Sequence, residues 1–279
     1  LFHAGNHADI LKHSILARIA LLLQKKDKPY TYVDTHAGAG IYDLDSEWAA
    51  KTGEAGRGIL GILDRRDIPG FFMPYIEICR SLYANGHRYP GSPELVRALS
   101  RDSDRLILTE LHPAEILNLR ENMSGDARVR VVHGDGYSAI VSLCPPEPRR
   151  GFLLMDPSFE TTDDYERVAE ALIALHRRWP VGILALWYPL VGRRANELSA
   201  MKSAFTQSGI AGIVSMELTV SEPDSSPESG GFGLYGSGMI IVQPPWGLSE
   251  EAQAALPWLA ETLSPGCGQF TLQWLVPDA

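Results

Sequence analysis

The chain has 279 residues, 45% of them apolar and 21% charged, with 25 basic groups against 34 acidic ones and a formal charge of −9. This composition forms a core, which excludes a disordered chain, and its length suits one large domain with an insertion or two modest domains. Its acidity also argues against a general nucleic-acid coat protein, because such a chain repels a polyanion at long range.

The charge is unevenly spread. No Lys or Arg follows Lys202, whereas eight acidic residues do, so the first 202 residues hold 25 basic against 26 acidic groups and a net charge of −1. A locally basic face using Lys12, Arg18, Lys25, Lys26 and Lys28 is therefore compatible with the overall sign. Cys79, Cys144 and Cys267 are odd in number and far apart, which fits neither a disulfide framework nor a zinc cluster and predicts an intracellular, cytoplasmic protein. No run reaches about 18 consecutive apolar residues, and no export signal opens the sequence.

In chain order, ADILKHSILARIALLLQKKDKP predicts a helix with Leu11, Ile15, Ile19 and Leu22 on one face, Lys25 and Lys26 in its last turn and Pro29 beyond. Thr31 to Val33 then predict a strand, followed by a turn that Gly38 and Gly40 permit. Residues 48–90 read as an inserted helical subdomain within a single unit spanning 1–279, because 75 residues separate Asp34 from Glu110 where a βαβ unit needs about 30. Further strands are expected in RLILTE to Glu110, ARVRVVHGD to Asp135, GFLLMD to Asp156 and GILALWY to about Tyr188. DYERVAEALIALHRRW predicts an amphipathic helix.

Toward the end, GIVSMELTV and YGSGMIIVQPP predict a hairpin joined by a mobile Ser/Pro/Gly-rich loop. SEEAQAALPWLAETL predicts a helix that Pro257 kinks or stops, and QFTLQWLV a last strand. Strands alternating with helices give an α/β, Rossmann-like fold: a mostly parallel central sheet, helices on both faces and a C-terminal antiparallel hairpin. In such sheets ligands bind beyond the strands' carboxyl ends, where Asp34, His36, Glu110, Asp135 and Asp156 converge.

The glycine pair of DTHAGAG lacks the third glycine of a dinucleotide site, since Asp43 stands at that offset, and no GxxxxGK[ST] run is present. A nucleoside cofactor without a pyrophosphate remains. Glu110 suits the vicinal ribose hydroxyls, and Asp135 an adenine amino group, with Gly136 allowing the ring to approach. DPSFE puts a carboxylate (Asp156), a rigid Pro157, Ser158 and an aromatic ring (Phe159) after the fourth strand: Asp156 can accept from an exocyclic amine while Phe159 stacks on a base. The plainer alternative makes Asp156 a helix cap and Phe159 a core residue. The His3, His7, His13 and His36 set has no HExxH pattern or cysteine pair, so no metal is expected.

FHAGNHADILKH, DTHAGAGIYDL, YPGSP, TELHP, DG, DPSFE and ALWYP together resemble the class I S-adenosylmethionine-dependent methyltransferases, and closely the bacterial 23S ribosomal RNA adenine-N6 methyltransferase family, over nearly the whole chain. The resemblance implies that His13, His36, Ser92, Glu110, Asp135, Gly136 and Asp156 bind S-adenosyl-L-methionine, that Asp156 faces the target amine, and that Lys12 neighbours the pocket on the substrate side with Pro157, Ser158 and Phe159. The family usually has Asp-Pro-Pro-Tyr where this chain has Ser158 and Phe159; stacking survives that change, a hydroxyl contact does not. The expected partner is 23S rRNA, naked or in an early assembly intermediate, contacted by residues 48–90 and the basic first helix. The expected product is N6-methyladenosine. A DNA adenine or other amino-group methyltransferase shares this pocket chemistry, and a non-catalytic nucleic-acid-binding protein retaining the fold is the third alternative.

Overall fold

The structure, a computed structural model, describes residues 4–45, 54–223 and 233–278. Asn6 opens the first helix, α1 (His7–Gln24), with its side chain accepting from the Ala8 and Asp9 backbone N–H groups at 3.0 Å each. These bonds satisfy donors that the first helical turn leaves unpaired. The helix ends at Gln24, so Lys25 and Lys26 lie just beyond it rather than in its last turn. The expected single apolar face proves too narrow: α1 is buried on nearly every side, Lys12 and His13 included.

Nine further elements follow up to the centre of the chain. They are β1 (Thr31–Asp34), β2 (Ile41–Asp43), α2 (Glu54–Arg57), α3 (Leu60–Leu63), α4 (Met73–Ala84), β3 (Arg88–Pro90), α5 (Ser92–Leu99), β4 (Arg105–Glu110) and α6 (Pro113–Asn122). The chain continues through β5 (Val129–His133), α7 (Gly136–Leu143), β6 (Gly151–Met155), α8 (Asp163–Arg178), β7 (Ile183–Val191) and α9 (Ala195–Gln207). It closes with β8 (Ile213–Thr219), β9 (Leu234–Val242), α10 (Leu248–Leu263) and β10 (Gln269–Val276).

Eight strands form one sheet in the order β10-β8-β9-β7-β6-β1-β4-β5. The five strands from β7 to β5 are mutually parallel, and β9 lies antiparallel between β7 and β8. The chain lays down β1, β4 and β5 in one direction, then returns to β1's other side for β6 and β7. The order therefore reverses between β1 and β6, the point where an open α/β sheet leaves a crevice beyond its strand ends. Strand-end polarity fits: Asp34 and Glu110 close β1 and β4, Asp156 directly follows β6, and Asp135 lies just past β5.

Two apolar clusters cover the two faces. One includes Ile10, Ile15, Tyr75, Leu95 and Leu256, from α1, α4, α5 and α10; the other includes Val168, Leu172, Met201 and Phe205, from α8 and α9. The interval between β1 and β4 holds α2, α3 and α4 and is bracketed by an antiparallel β2–β3 ribbon. The start of the expected 48–90 insertion and most of the expected loop between β8 and β9 lie outside the described residues, while β8 and β9 form the expected hairpin.

Pro257 does not end its helix: α10 runs from Leu248 to Leu263 through it. Pro257 is exposed, as is Gln253, whose carbonyl loses its helical partner and faces water, while Ala252, Ala255, Leu256 and Leu259 anchor the opposite stripe in the core. Packing outweighs the lost bond. Pro257→Ala is expected to stabilise the protein by about 1–2 kcal/mol. Thermal melting followed by circular dichroism checks this, and a lowered midpoint contradicts it.

Candidate active site

A cleft open to solvent lies beyond the carboxyl ends of β1 and β6, lined by Asp9, Lys12, His13, His36, Tyr42, Ser92 and Asp156 among others. Its central feature is a buried ion triplet. Lys12 Nζ lies 2.6 Å from Asp156 Oδ2 and 2.8 Å from Asp9 Oδ1, and it also faces the Trp187 ring at 5.9 Å. Burial alone pushes the Lys12 ammonium down, but the carboxylates of Asp156 and Asp9 outweigh it and hold the lysine well above its ordinary value. Burial likewise pushes Asp9 up, yet the charge and hydrogen bond of Lys12, with the Gly5 backbone N–H, bring its carboxyl down to about 2. The triplet carries one net negative charge, −2 from the aspartates and +1 from Lys12.

The histidines beside it are neutral. Burial pulls His13 down to about 3, and its Nδ1 lies 2.8 Å from the Tyr89 hydroxyl, which is in turn 2.9 Å from that of Tyr75. Burial lowers His36 as well. The Thr35 hydroxyl donates to the Leu154 carbonyl at 3.0 Å and lies 2.8 Å from His36 Nδ1. A hydroxyl has a single proton, so Thr35 must accept from Nδ1–H, which leaves Nε2 as the bare acceptor.

Asp34 sits behind the cleft, fully buried. It accepts from Tyr32 Oη at 2.6 Å, Ser92 Oγ at 2.7 Å and the His36 backbone N–H at 3.1 Å. Burial exceeds these bonds and raises its carboxyl to about 6. One side chain thereby ties the end of β1 to the first residue of α5 and to the His36 backbone.

On the other side of β1, Glu110 Oε2 accepts from Gly38 N–H and Oε1 from His112 N–H, at 2.7 Å each. Gly38 has φ of 60°, and a Cβ there would run into the Tyr42 hydroxyl, so the turn that delivers this N–H needs glycine. Asp135 caps α7, its Oδ2 accepting from Ser138 N–H and Oγ at 2.9 Å each. Gly136 allows a close approach, though of protein atoms: an added Cβ would strike the Thr35 carbonyl and the His36 ring.

Lys12, His13, His36, Ser92 and Asp156 thus share one cleft, and Glu110, Asp135 and Gly136 adjoin it through Gly38 and His36. Pro157 is buried and Ser158 exposed. The expected stacking surface on Phe159 is not on display. Its ring is 6% exposed and packs against Tyr165 and Trp187, with centroids 4.8 and 6.1 Å away. A left-handed backbone, φ 50°, turns the ring inward, a conformation costing a non-glycine residue roughly 1–2 kcal/mol. The expected basic face of α1 also needs correction: Lys12 is buried, and Arg18 pairs with Glu251 from the acidic C-terminal segment. Among the described residues no group of His, Cys, Asp or Glu is placed to hold a metal ion. Sequence reasoning missed Asp9, whose i,i+3 spacing from Lys12 was the available signal. It also missed Tyr42 and Tyr89, whose roles depend on tertiary contacts, and it placed Asp34 at the ligand edge without its bonds to Tyr32, Ser92 and the His36 backbone.

A parallel sheet reversing direction at β1/β6, a glycine turn after β1 and carboxylates closing four successive strands define the chain as a methyltransferase of Rossmann-like fold. The match to the family model described as "Ribosomal RNA large subunit methyltransferase D, RlmJ" spans residues 27–276, and the chain belongs to that family. It is 42% identical over 280 residues to a protein of Escherichia coli (strain K12) named ribosomal RNA large subunit methyltransferase J, covering 99% of this chain and 98% of that one. A Haemophilus influenzae protein of the same name is 39% identical with the same coverage. A crystal structure of a Legionella pneumophila protein superposes with a TM-score of 0.87 at 30% identity, covering 98% of both chains.

Two outcomes follow from the site. Gly136→Ala should displace His36 and destabilise the fold by about 1–3 kcal/mol, read from denaturant unfolding. The second concerns pH. His13 is held at about 3 when folded but takes up a proton near 6.5 when unfolded, so its contribution is complete above 6.5 and is lost as pH falls below it. The wild type should lose about 2 kcal/mol between pH 6.5 and 5 through this group, and His13→Asn should lack that component. Equal pH slopes in the two proteins would contradict a neutral buried His13.

Proposed function

We propose that this protein transfers the methyl group of S-adenosyl-L-methionine to the exocyclic N6 of an adenosine in 23S ribosomal RNA, as an enzyme of the cytoplasm. The carrying observation is the Lys12–Asp156 pair at the end of β6. Lys12 occupies Asp156 Oδ2, which fixes the carboxylate and leaves Oδ1 to accept a hydrogen bond from a target amine. Family membership and two relatives named as ribosomal RNA methyltransferases support RNA as the acceptor.

The residues present suit the cofactor. The Tyr137 hydroxyl, beside Gly136 and His36, is buried without a hydrogen-bond partner among the described residues, an orphaned donor that a nucleoside can satisfy. Glu110 has both oxygens aligned by backbone donors and keeps lone pairs for a vicinal diol. His36 Nε2 can accept from an ammonium, and the net negative charge of the triplet favours a cationic ligand. When bound, the cofactor supplies a methyl group on a positively charged sulfur, so the acceptor needs an available lone pair and a route for its proton. Asp156 draws the amine hydrogens toward Oδ1, out of conjugation with the ring, and receives or relays the proton released as the nitrogen–carbon bond forms. Pro157 stiffens the turn, and Phe159 buttresses it from the core side; stacking on the base requires the 157–160 turn to swing outward. The adenosine must leave any helical stack to reach the cleft.

Labelled cofactor incubated with unmodified 23S rRNA should yield N6-methyladenosine on digestion and mass analysis, with DNA and small amines unmodified in parallel. Label appearing only in DNA or a small amine would replace the RNA reading, and none anywhere would overturn it. Asp156→Ala should lower transfer at least about 100-fold with little change in melting. Glu110→Ala should weaken cofactor affinity by about 10-fold or more in calorimetry; unchanged affinity would remove Glu110 from the site.

A further inference from the structure

The parallel strands have a second edge. The segments entering β1, β4, β5, β6 and β7, residues 25–29, 101–105, 126–128, 147–150 and 177–182, hold ten Lys or Arg and five Asp or Glu. They are scattered in sequence but joined in space. Arg101 Nη2 donates to the Lys28 carbonyl at 2.8 Å, Arg150 Nη1 to the same carbonyl at 2.7 Å, Arg128 Nη1 to the Ser100 carbonyl at 2.6 Å, and Arg149 Nη2 to the Arg178 carbonyl at 3.1 Å.

These bonds go to neutral carbonyls, so they orient the guanidinium groups without cancelling their charge. Asp104 and Asp126 are matched by Arg101 and Arg128. Arg105, Arg149 and Arg150, together with Lys26 and Lys28, form no ion pair among the described residues, and all of these but the half-buried Arg150 are exposed. Burial and the neighbouring Arg101 both disfavour the Arg150 cation, the direction expected where positive charge is under-compensated. The catalytic cleft has the opposite sign, with Asp9, Asp34, Glu110, Asp135 and Asp156 outnumbering Lys12 and the Arg167 that lies over Tyr137, while Arg194 beyond β7 is paired with Glu197. It suits a cationic ligand and repels phosphates.

We infer that the amino-terminal edge of the parallel sheet, opposite the catalytic cleft, is a second contact surface that grips the phosphate backbone of the RNA substrate. This rests on the reading of ribosomal RNA as the substrate. β4, with six residues, separates the two edges by about 20 Å, so an RNA that fills the cleft with its target adenosine must extend past the side of the molecule to reach the basic edge. A large folded RNA does so; a short stem-loop does not. Guanidinium groups held in fixed orientation suit phosphate oxygens, and their contribution falls as salt rises.

The test uses the triple variant Lys26→Gln, Lys28→Gln, Arg149→Gln, whose lysine side chains make no hydrogen bond or ion pair among the described residues. Apparent KM for a long 23S fragment should rise about 10-fold, and the slope of log affinity against log salt should flatten by about 2. kcat, cofactor affinity and KM for a short stem-loop carrying the target adenosine should stay as in the wild type. Equal KM and equal salt slope on the long fragment would overturn this surface while leaving the methyltransferase reading intact. If the wild type modifies neither RNA, the substrate reading itself fails and takes this surface with it.

Discussion

The site is organised around the burial of one ammonium group. A lysine taken out of water costs several kcal/mol unless it is paired, and Lys12 is paired twice, with Asp9 one helical turn away and with Asp156 across the gap to β6. That demand fixes α1 against the strand ends, because the helix cannot shift without stranding a buried charge. It also explains why α1 must be buried nearly all round: only such a helix can carry Lys12 and His13 into the cleft wall. Two carboxylates against one ammonium leave a net negative charge, and neutral His13 and His36 do not offset it.

Asp34 plays the corresponding part on the other side of the cleft. It holds Tyr32, Ser92 and the His36 backbone at once, so elements separated by 58 residues share one carboxylate. The insertion between β1 and β4 is thereby registered to the sheet through Ser92 at one end, while Tyr89 reaches His13 on α1. Its position is set by polar bonds inside the site as well as by its apolar packing.

The fold was legible in the sequence because parallel strands announce themselves as short apolar runs ending in a carboxylate, and RLILTE, VRVVHGD and GFLLMD are such runs. Four strand-end carboxylates could be placed on one edge from that rule alone. What stayed hidden depended on direction. DPSFE leaves Phe159 open between a stacking face and a core residue, and the structure takes the second, with a left-handed φ and packing against Tyr165 and Trp187 that no local pattern encodes. Pro257 misled for a similar reason: propensity stops a helix there, but the buried stripe of α10 carries it through. The tyrosines around His13 carry no local signal, since Tyr75 and Tyr89 meet it only after α4 and β3 fold back on α1.

Net charge was the least informative quantity and its distribution the most. The acidic C-terminal segment does not simply stand apart from the basic half, because Glu251 reaches Arg18 and lies 3.9 Å from Lys25. What the fold separates is sign by edge. Parallel strands gather whatever precedes them at one end and whatever follows them at the other, so a sequence with ten Lys or Arg against five Asp or Glu before its parallel strands, and carboxylates closing four of them, becomes a molecule with a net cationic base and an anionic cleft. A formal charge of −9 conceals that division. An enzyme that must hold a cation at its reaction centre while handling a polyanion gains from keeping the two charges apart, since each would otherwise weaken the other's site.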